Sequence, residues 1–494
     1  MSLKKLKFRR QFLLSPKLCP DLEGWDFQEV GKHYLYVHPD CLQAFATSNG
    51  KRGILLGHVL NPRQPDLSTS EILEDIVQQS DEIGIAKSIY GLVGRFVLIV
   101  EKNNEFTFFN DACGLKSFFF TQQDHKFYAA SQPLLLKLVT KNLIEQGERY
   151  HSYHDSEYVK SNKENWFPSG TSLYPGVYHL VANHYLKSET LQQTRYWPIK
   201  KLETINYEEA KEKFAKLLKL TIDAGSKKYK LGLGITGGFD SRILLSASKD
   251  AAERMLFYTL QYRNLDYNSN DIRIPVSLTQ KINIPHSLMD CRIPISEEFK
   301  EIYLASSDMA HLNDWGHIAY GISQNLPEGT MSVKGSCSET GRCFFYKNGV
   351  HPELKSSQDI MNINPKWKEI PFIDEQISKW YDEVKDSNTN KGYNILDLFH
   401  WEVSTGSWQS QSQLEWDLVH DTFTPFNNRE LLDLMLHIDT KYRSKPNYTL
   451  YKDTMNMLWP EVLLEPINPL DTKSEVKQLL KSILTRLGFE KYNR

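Results

Sequence analysis

Leu231 to Arg242 reads LGLGITGGFDSR, and the order of residue types in that stretch decides the fold of the second half of the chain. Leu231 to Ile235 predicts a short buried strand, Thr236-Gly237-Gly238 interrupts it, and Ser241 to Ser248 predicts a helix starting near Asp240. Paired glycines accept backbone angles that turn successive N–H groups toward one anion, and the helix start adds its partial positive charge. The segment therefore reads as a phosphate cradle, with Thr236, Gly237, Gly238, Asp240 and Ser241 as candidate binding residues and Arg242 as a charge partner. It is not the loop that carries a γ-phosphate, because no GxxxxGK followed by Ser or Thr is present. A glycine-rich turn that merely joins strand to helix is the competing explanation, and the carboxylate at Asp240 counts against it.

Outward from this loop, Met255 to Leu260 predicts the next strand, and strand–helix–strand order implies parallel pairing with a right-handed crossover. Upstream, Asn206 followed by Glu209 has capping-box spacing, and Ala210, Phe214, Leu217, Leu218, Thr221 and Ile222 repeat at helical intervals. Before about residue 203 the period changes. Tyr34 to Val37, Gly53 to Leu60, Gly94 to Glu101, Phe106 to Phe109, Ser117 to Thr121 and Lys126 to Ala129 predict short strands, with a hairpin turn at Asn103-Asn104. Gly176 to Val181 and His184 to Leu186 predict a further hairpin across Ala182-Asn183. From about Ile395 onward the chain predicts mostly helix, and Asp386 to Lys391 a polar surface loop. The division falls at 1–202 and 203–494: an α+β first part, then an α/β doubly wound parallel sheet with a helical C-terminal part.

The 494 residues allow two to four domains at about 100–200 residues each. Lys+Arg is 59 and Asp+Glu 61, a net charge of -2, which argues against a dedicated nucleic-acid binder. Six cysteines without a CxxC pair or zinc spacing imply reduced thiols and a cytoplasmic protein. Phe12 to Leu14 is too short for a signal-peptide core, and no apolar window predicts a membrane span. No heptad or apolar stripe speaks to oligomeric state, which leaves a homodimer open. His311, His317, His400 and His420 lack metal spacing and read as structural or surface residues.

A second segment has the same grammar. Met331 to Val333 predicts a strand that runs into Lys334-Gly335-Ser336-Cys337-Ser338-Glu339-Thr340-Gly341-Arg342. Thr236 to Ser241 resembles the SGG-x-DS loop of the PP-loop ATP pyrophosphatases, with Thr236 keeping a hydroxyl where Ser is usual. Together the two segments resemble the asparagine synthetase superfamily. That resemblance implies ATP cleavage between the α and β phosphates, Mg²⁺ held by Asp240 and Glu339, and Lys334 and Gly335 beside the pyrophosphate. It extends through GLVGRF (Gly91 to Phe96), NDACGLK (Asn110 to Lys116), YAAS (Tyr128 to Ser131), TSLYPGVY (Thr171 to Tyr178) and RYW (Arg195 to Trp197). These stand in the order of the family's glutaminase-type domain, and PFNNR (Pro425 to Arg429) resembles its PFLD element. The implied first domain is an N-terminal-nucleophile-type αββα sandwich.

The departures are as informative. The family's glutaminase half uses a Cys at position 2, where Ser2 stands here; a hydroxyl is far less ionised than a thiol near neutral pH. The expectation is a degenerate glutamine amidotransferase type 2-like scaffold, with Ser2 as nucleophile a minority alternative. β-Lactam synthetases and lasso-peptide cyclases, which resemble this chain in lacking that Cys, let a substrate amine attack the adenylated carboxylate. Ser336 falls where asparagine synthetases place a Glu, and Leu464 to Thr472 lacks the expected catalytic Lys, leaving Lys473 as the nearest candidate. Trp408 and Gln411, three residues apart, are candidates for an acceptor pocket or for helix packing. The resemblance thus implies an AMP-forming ligase that uses ATP and Mg²⁺ to join a small-molecule or peptide carboxylate to an amine. A glutamine- or ammonia-dependent asparagine synthetase-type amidotransferase, a base-activating PP-loop enzyme and a nucleotide-binding pseudoenzyme are the alternatives.

Overall fold

The computed structural model describes residues 3–140, 147–162, 167–168, 170–307, 315–346 and 349–469. Strands β1 (Phe12–Ser15), β2 (Asp26–Val30), β3 (His33–Val37), β4 (Gln43–Ser48), β5 (Lys51–Leu60), β6 (Val93–Lys102), β7 (Glu105–Asn110), β8 (Phe119–Gln123), β9 (Lys126–Ala130), β10 (Tyr178–His179), β11 (His184–Lys187) and β12 (Gln193–Arg195) come first in the chain. They form two 6-stranded antiparallel sheets, ordered β10-β8-β9-β1-β3-β2 and β12-β11-β7-β6-β5-β4. Period-two alternation builds the sandwich. Phe12, Leu14, Ile54, Leu56, Val97, Ile99, Phe108 and Phe120 meet between the sheets, while Leu13, Leu55, Leu98 and Phe109 face the other way. Full burial of each such side chain contributes about 1.5–3 kcal/mol. The helix Thr69–Val77 covers β4 and β5, and Pro133–Thr140 packs on β9, so the layers run helix, sheet, sheet, helix.

Asn103 and Asn104 both have positive φ, +57° and +69°, as a tight β6–β7 turn requires. The expected hairpin over 176–186 is corrected: β10 pairs with β8 in one sheet, whereas β11 pairs with β7 and β12 in the other. The chain changes sheet at Ala182-Asn183. Phe12–Ser15, an apolar run too short to read as a strand, pairs with both β3 and β9 inside the first sheet. The polar stretch Asp386 to Lys391, expected as a loop, contains the helical turn Ser387–Asn390.

The second half begins with the helix Tyr207–Lys228, whose N-terminus is capped by Asn206 accepting from the Glu208 and Glu209 amides. Strands β13 (Leu231–Gly234), β14 (Met255–Gln261), β15 (Ser287–Asp290), β16 (Met331–Val333) and β17 (Thr422–Phe423) form a parallel sheet in the order β15-β14-β13-β16-β17. The C-terminal part is thus not purely helical, because it supplies the edge strand β17. The chain winds outward from β13 through β14 to β15, then returns to lay β16 on the other side of β13. That reversal puts the topological switch point at the carboxyl ends of β13 and β16, the position at which open α/β sheets generally hold ligands. Among the described residues no helix is long and apolar enough to cross a membrane.

The two halves are fastened by residues from the quoted motifs. Gly94 has φ +150°, and a Cβ there would stand 2.1 Å from the His58 carbonyl oxygen, so only glycine lets β6 approach β5 this closely. The next residue, Arg95, donates to both carboxylate oxygens of Asp417 at 2.9 Å and to Asp421 and Thr422 at 3.0 Å. Asn427 accepts from the Cys113 amide at 2.8 Å and donates to the Gly94 carbonyl and Asp111, while Arg429 donates to Asn183 at 3.0 Å. In the structure, PFNNR and NDACGLK are therefore partners across the interface between the halves.

Candidate functional site

The loops after β13 and β16 lie side by side at the switch point. Gly335 is where they touch: a Cβ there would stand 2.6 Å from the Asp240 Cβ. Gly335→Ala is expected to force the loops apart at a cost of about 1–3 kcal/mol, the usual range for overpacking, read as a lower urea midpoint with unchanged slope.

Asp240, in the first turn of the helix Phe239–Ala247, accepts from Ser338 Oγ at 2.5 Å and from Arg342 at 3.0 Å. The same Arg342 nitrogen stands 3.2 Å from Glu339 Oε1. One cationic nitrogen thus spans two carboxylates carried by different loops, and the two acids converge on a single cation position. Burial pushes the Glu339 carboxyl up to about 7, the Asp240 charge adding and Arg342 opposing. Arg342 stays charged because Asp240, the nearby tyrosines and Glu339 outweigh its burial, and it stacks 5.4 Å from the Tyr448 ring centroid. Among the described residues no group of three or more His, Cys, Asp or Glu gathers to hold a metal. Mg²⁺ would rest here on two acids plus ligand oxygens, within its usual habits.

The glycine loop departs from expectation. Neither Gly237 nor Gly238 adopts positive φ. The Gly237 amide donates to Asp271 Oδ1 at 3.0 Å, an intrachain carboxylate oxygen standing where a phosphate oxygen is expected. The Gly238 amide donates to Thr236 Oγ1 at 3.2 Å, and Ser241 Oγ accepts from the Thr236 amide at 3.0 Å. The loop's hydroxyls therefore brace its own backbone.

Two expected charge partners are elsewhere. Arg242 is buried and donates to the carbonyls of Val462 at 2.7 Å, Glu465 at 3.0 Å and Pro466 at 3.4 Å. It fastens the C-terminal segment, and a pyrophosphate role for it is corrected. Lys334 lies 4.0 Å from the Trp416 ring centroid, and burial pulls its amine down to about 8. The structure gives no contact between Lys334 and the loop over 236–241. Ser336 is half-buried beside Gly335.

Lys473, His311 and Ser2 lie outside the described residues. Trp408 and Gln411 sit where a π-helical stretch, His400–Gln409, passes into the helix Ser410–Asp417. His400 is buried against Thr340 and Thr405, and His317 is exposed. None of the six thiols is exposed. Arg342 and Asp271 were missed as site residues. Glu339 and Arg342 are three apart, which hinted at the first; nothing local pointed to Asp271, which is 34 residues from Gly237.

No family model matches this chain, and no curated relative matches it. Among solved structures, one similarity is to the allosteric regulatory enzyme of purine biosynthesis, at 11% identity over 74% of each chain with a TM-score of 0.24. Another is to glutamine phosphoribosylpyrophosphate amidotransferase from B. subtilis complexed with ADP and GMP, at 12% identity over 78% of this chain and 90% of that one, with a TM-score of 0.23. At TM-scores this low the likeness carries no weight for fold, chemistry or partners.

Proposed function

We propose that this chain is an ATP-dependent, AMP-forming carbon–nitrogen ligase of the asparagine synthetase-like class. The observation that carries the proposal is the convergence of Asp240 and Glu339, from loops at the carboxyl ends of neighbouring parallel strands, on one cation position. In this reading the two carboxylates hold Mg²⁺, which supplies charge neutralisation for the departing pyrophosphate. Gly238, at the start of the helix Phe239–Ala247, and the hydroxyls of Thr236 and Ser241 orient phosphate oxygens. Gly237 joins them once its amide leaves Asp271, and Arg342 is left free to donate to an anionic oxygen. A substrate carboxylate oxygen attacks the α-phosphorus and pyrophosphate leaves; an amine nitrogen then attacks the acyl carbon, AMP leaves and the amine proton is lost. The αββα sandwich serves as a scaffold packed against the synthetase half, and the amine comes with a substrate.

A second reading has its own support. Asp271 occupies the anion position and Arg342 the cation position, as in a chain that binds nucleotide without turnover. The discriminating experiment incubates the full chain with Mg-ATP and a panel of carboxylates, scoring pyrophosphate exchange and AMP against ADP. Exchange with AMP formation is the expected result. Saturable ATP binding without exchange selects the pseudoenzyme, and ADP formation overturns both.

A further inference from the structure

A separate cavity, of about 400 Å³, lies at the amino ends of β16 and β17, the end of the parallel sheet opposite the candidate loops. Thr330 immediately precedes β16 and His420 nearly abuts β17, and both line it. The candidate loops leave the far ends of β16 and its parallel neighbour β13, and a strand of three residues rises roughly 10 Å. The cavity is therefore separate from the site above, and nothing in it depends on the ligase proposal.

Its lining carries polar groups without partners. His420 is 5% exposed and Thr330 3% exposed, yet both ring nitrogens of His420 and the Thr330 hydroxyl lack a hydrogen bond. Buried polar atoms are normally paired, and where unpaired ones line a cavity a water or a bound group can satisfy them. Arg10 adds charge: one of its N–H groups donates to the Asp417 carbonyl at 2.5 Å, and the carboxylates of Asp421, which also lines the cavity, and Asp417 act on it without closing to an ion pair. The chain also holds Arg10 in an unusual backbone state. Arg10 and Phe8 both have positive φ, +59° and +55°, and the segment is pinned by the Phe8 amide on Ser306 Oγ and by Lys116 donating to the Arg10 carbonyl. Backbone strain of this kind persists where the surroundings impose it, often at ligand sites. Leu6, Phe299 and Ile322 supply an apolar wall. Burial, with Lys334 and Arg10 nearby, keeps His420 neutral, so its ring offers one donor and one acceptor.

We propose that this cavity binds a small organic carboxylate with an apolar body, its carboxylate on Arg10, Thr330 and His420 and its body against Leu6, Phe299 and Ile322. A cavity of this size is within the range of small-molecule sites. Isothermal titration of the full chain with phenylacetate, phenylacetamide and inorganic phosphate tests it. Phenylacetate is expected to bind saturably and about tenfold or more tighter than the uncharged, near-isosteric amide. Arg10→Gln is expected to remove that preference, and Leu6→Trp, which fills the cavity, to abolish binding. The comparison of acid with amide uses the unaltered chain and so stands even if a variant fails to fold. Equal binding of acid and amide, no saturable binding of phenylacetate up to about 10 mM, or unchanged affinity in Leu6→Trp overturns the proposal. Phosphate binding as tightly as phenylacetate overturns the apolar-body assignment.

Discussion

Asp240→Ala is expected to reduce pyrophosphate exchange on the order of a thousandfold, the scale set by several kcal/mol of metal-based charge stabilisation. The substitution removes one of the two carboxylates that converge on the cation position and leaves Glu339 alone with Arg342. It also strands the Ser338 hydroxyl, which donates to Asp240 at 2.5 Å. Asp240→Asn separates the two effects, because the amide oxygen still accepts from Ser338 while the charge is gone. The asparagine variant is expected to fold with nearly unchanged stability and to lose exchange as completely as the alanine variant. Exchange that survives either substitution would remove Asp240 from the metal site.

Arg95→Ala carries the largest expected loss of stability, about 3–5 kcal/mol, because it leaves the buried Asp417 carboxylate with Lys116, 3.7 Å away, as its remaining counter-ion and without its two guanidinium hydrogen bonds. Arg95 and Asp417 side chains are 2% and 1% exposed, and the guanidinium makes two parallel bonds of 2.9 Å to Asp417. Asp421, also held by Arg95 at 3.0 Å, loses a partner in the same step. The double substitution Arg95→Met with Asp417→Leu is expected to recover only part of the loss, since it removes the Asp417 charge but leaves the Lys116 ammonium on the Arg10 carbonyl alone. Urea denaturation of both variants checks this. A loss below about 1 kcal/mol for Arg95→Ala would mean that the pair contributes no more than a surface bridge.

Much of the local structure was legible because it is written in neighbouring residues. Apolar runs over 53–60 and 94–101, bounded by turn residues, mark β5 and β6, Asn103-Asn104 provides the left-handed pair their neighbouring hairpin needs, and Asn206 marks the start of the helix Tyr207–Lys228. β1 and β17 were illegible for the opposite reason. Runs of four and two residues carry too little period to read, and they are strands only because partners far along the chain pair with them. The failed hairpin over 176–186 obeys the same rule, since each half pairs with a different sheet.

The candidate site divides along that line too. From sequence alone came the strand–loop–helix grammar around Thr236-Gly237-Gly238 and the matching loop after Val333, because turn chemistry and periodicity depend on residues a few positions apart; the candidacy of Asp240 and Glu339 as a pair came from the family resemblance of those loops. Only the tertiary structure decided that Arg342 spans those two acids, that Asp271 holds the Gly237 amide, and that Arg242 turns away to the carbonyls of the C-terminal segment. A side chain's partner is set by which distant segments the sheet order brings within about 3 Å of it, and hydrogen bonds and ion pairs act only at that range.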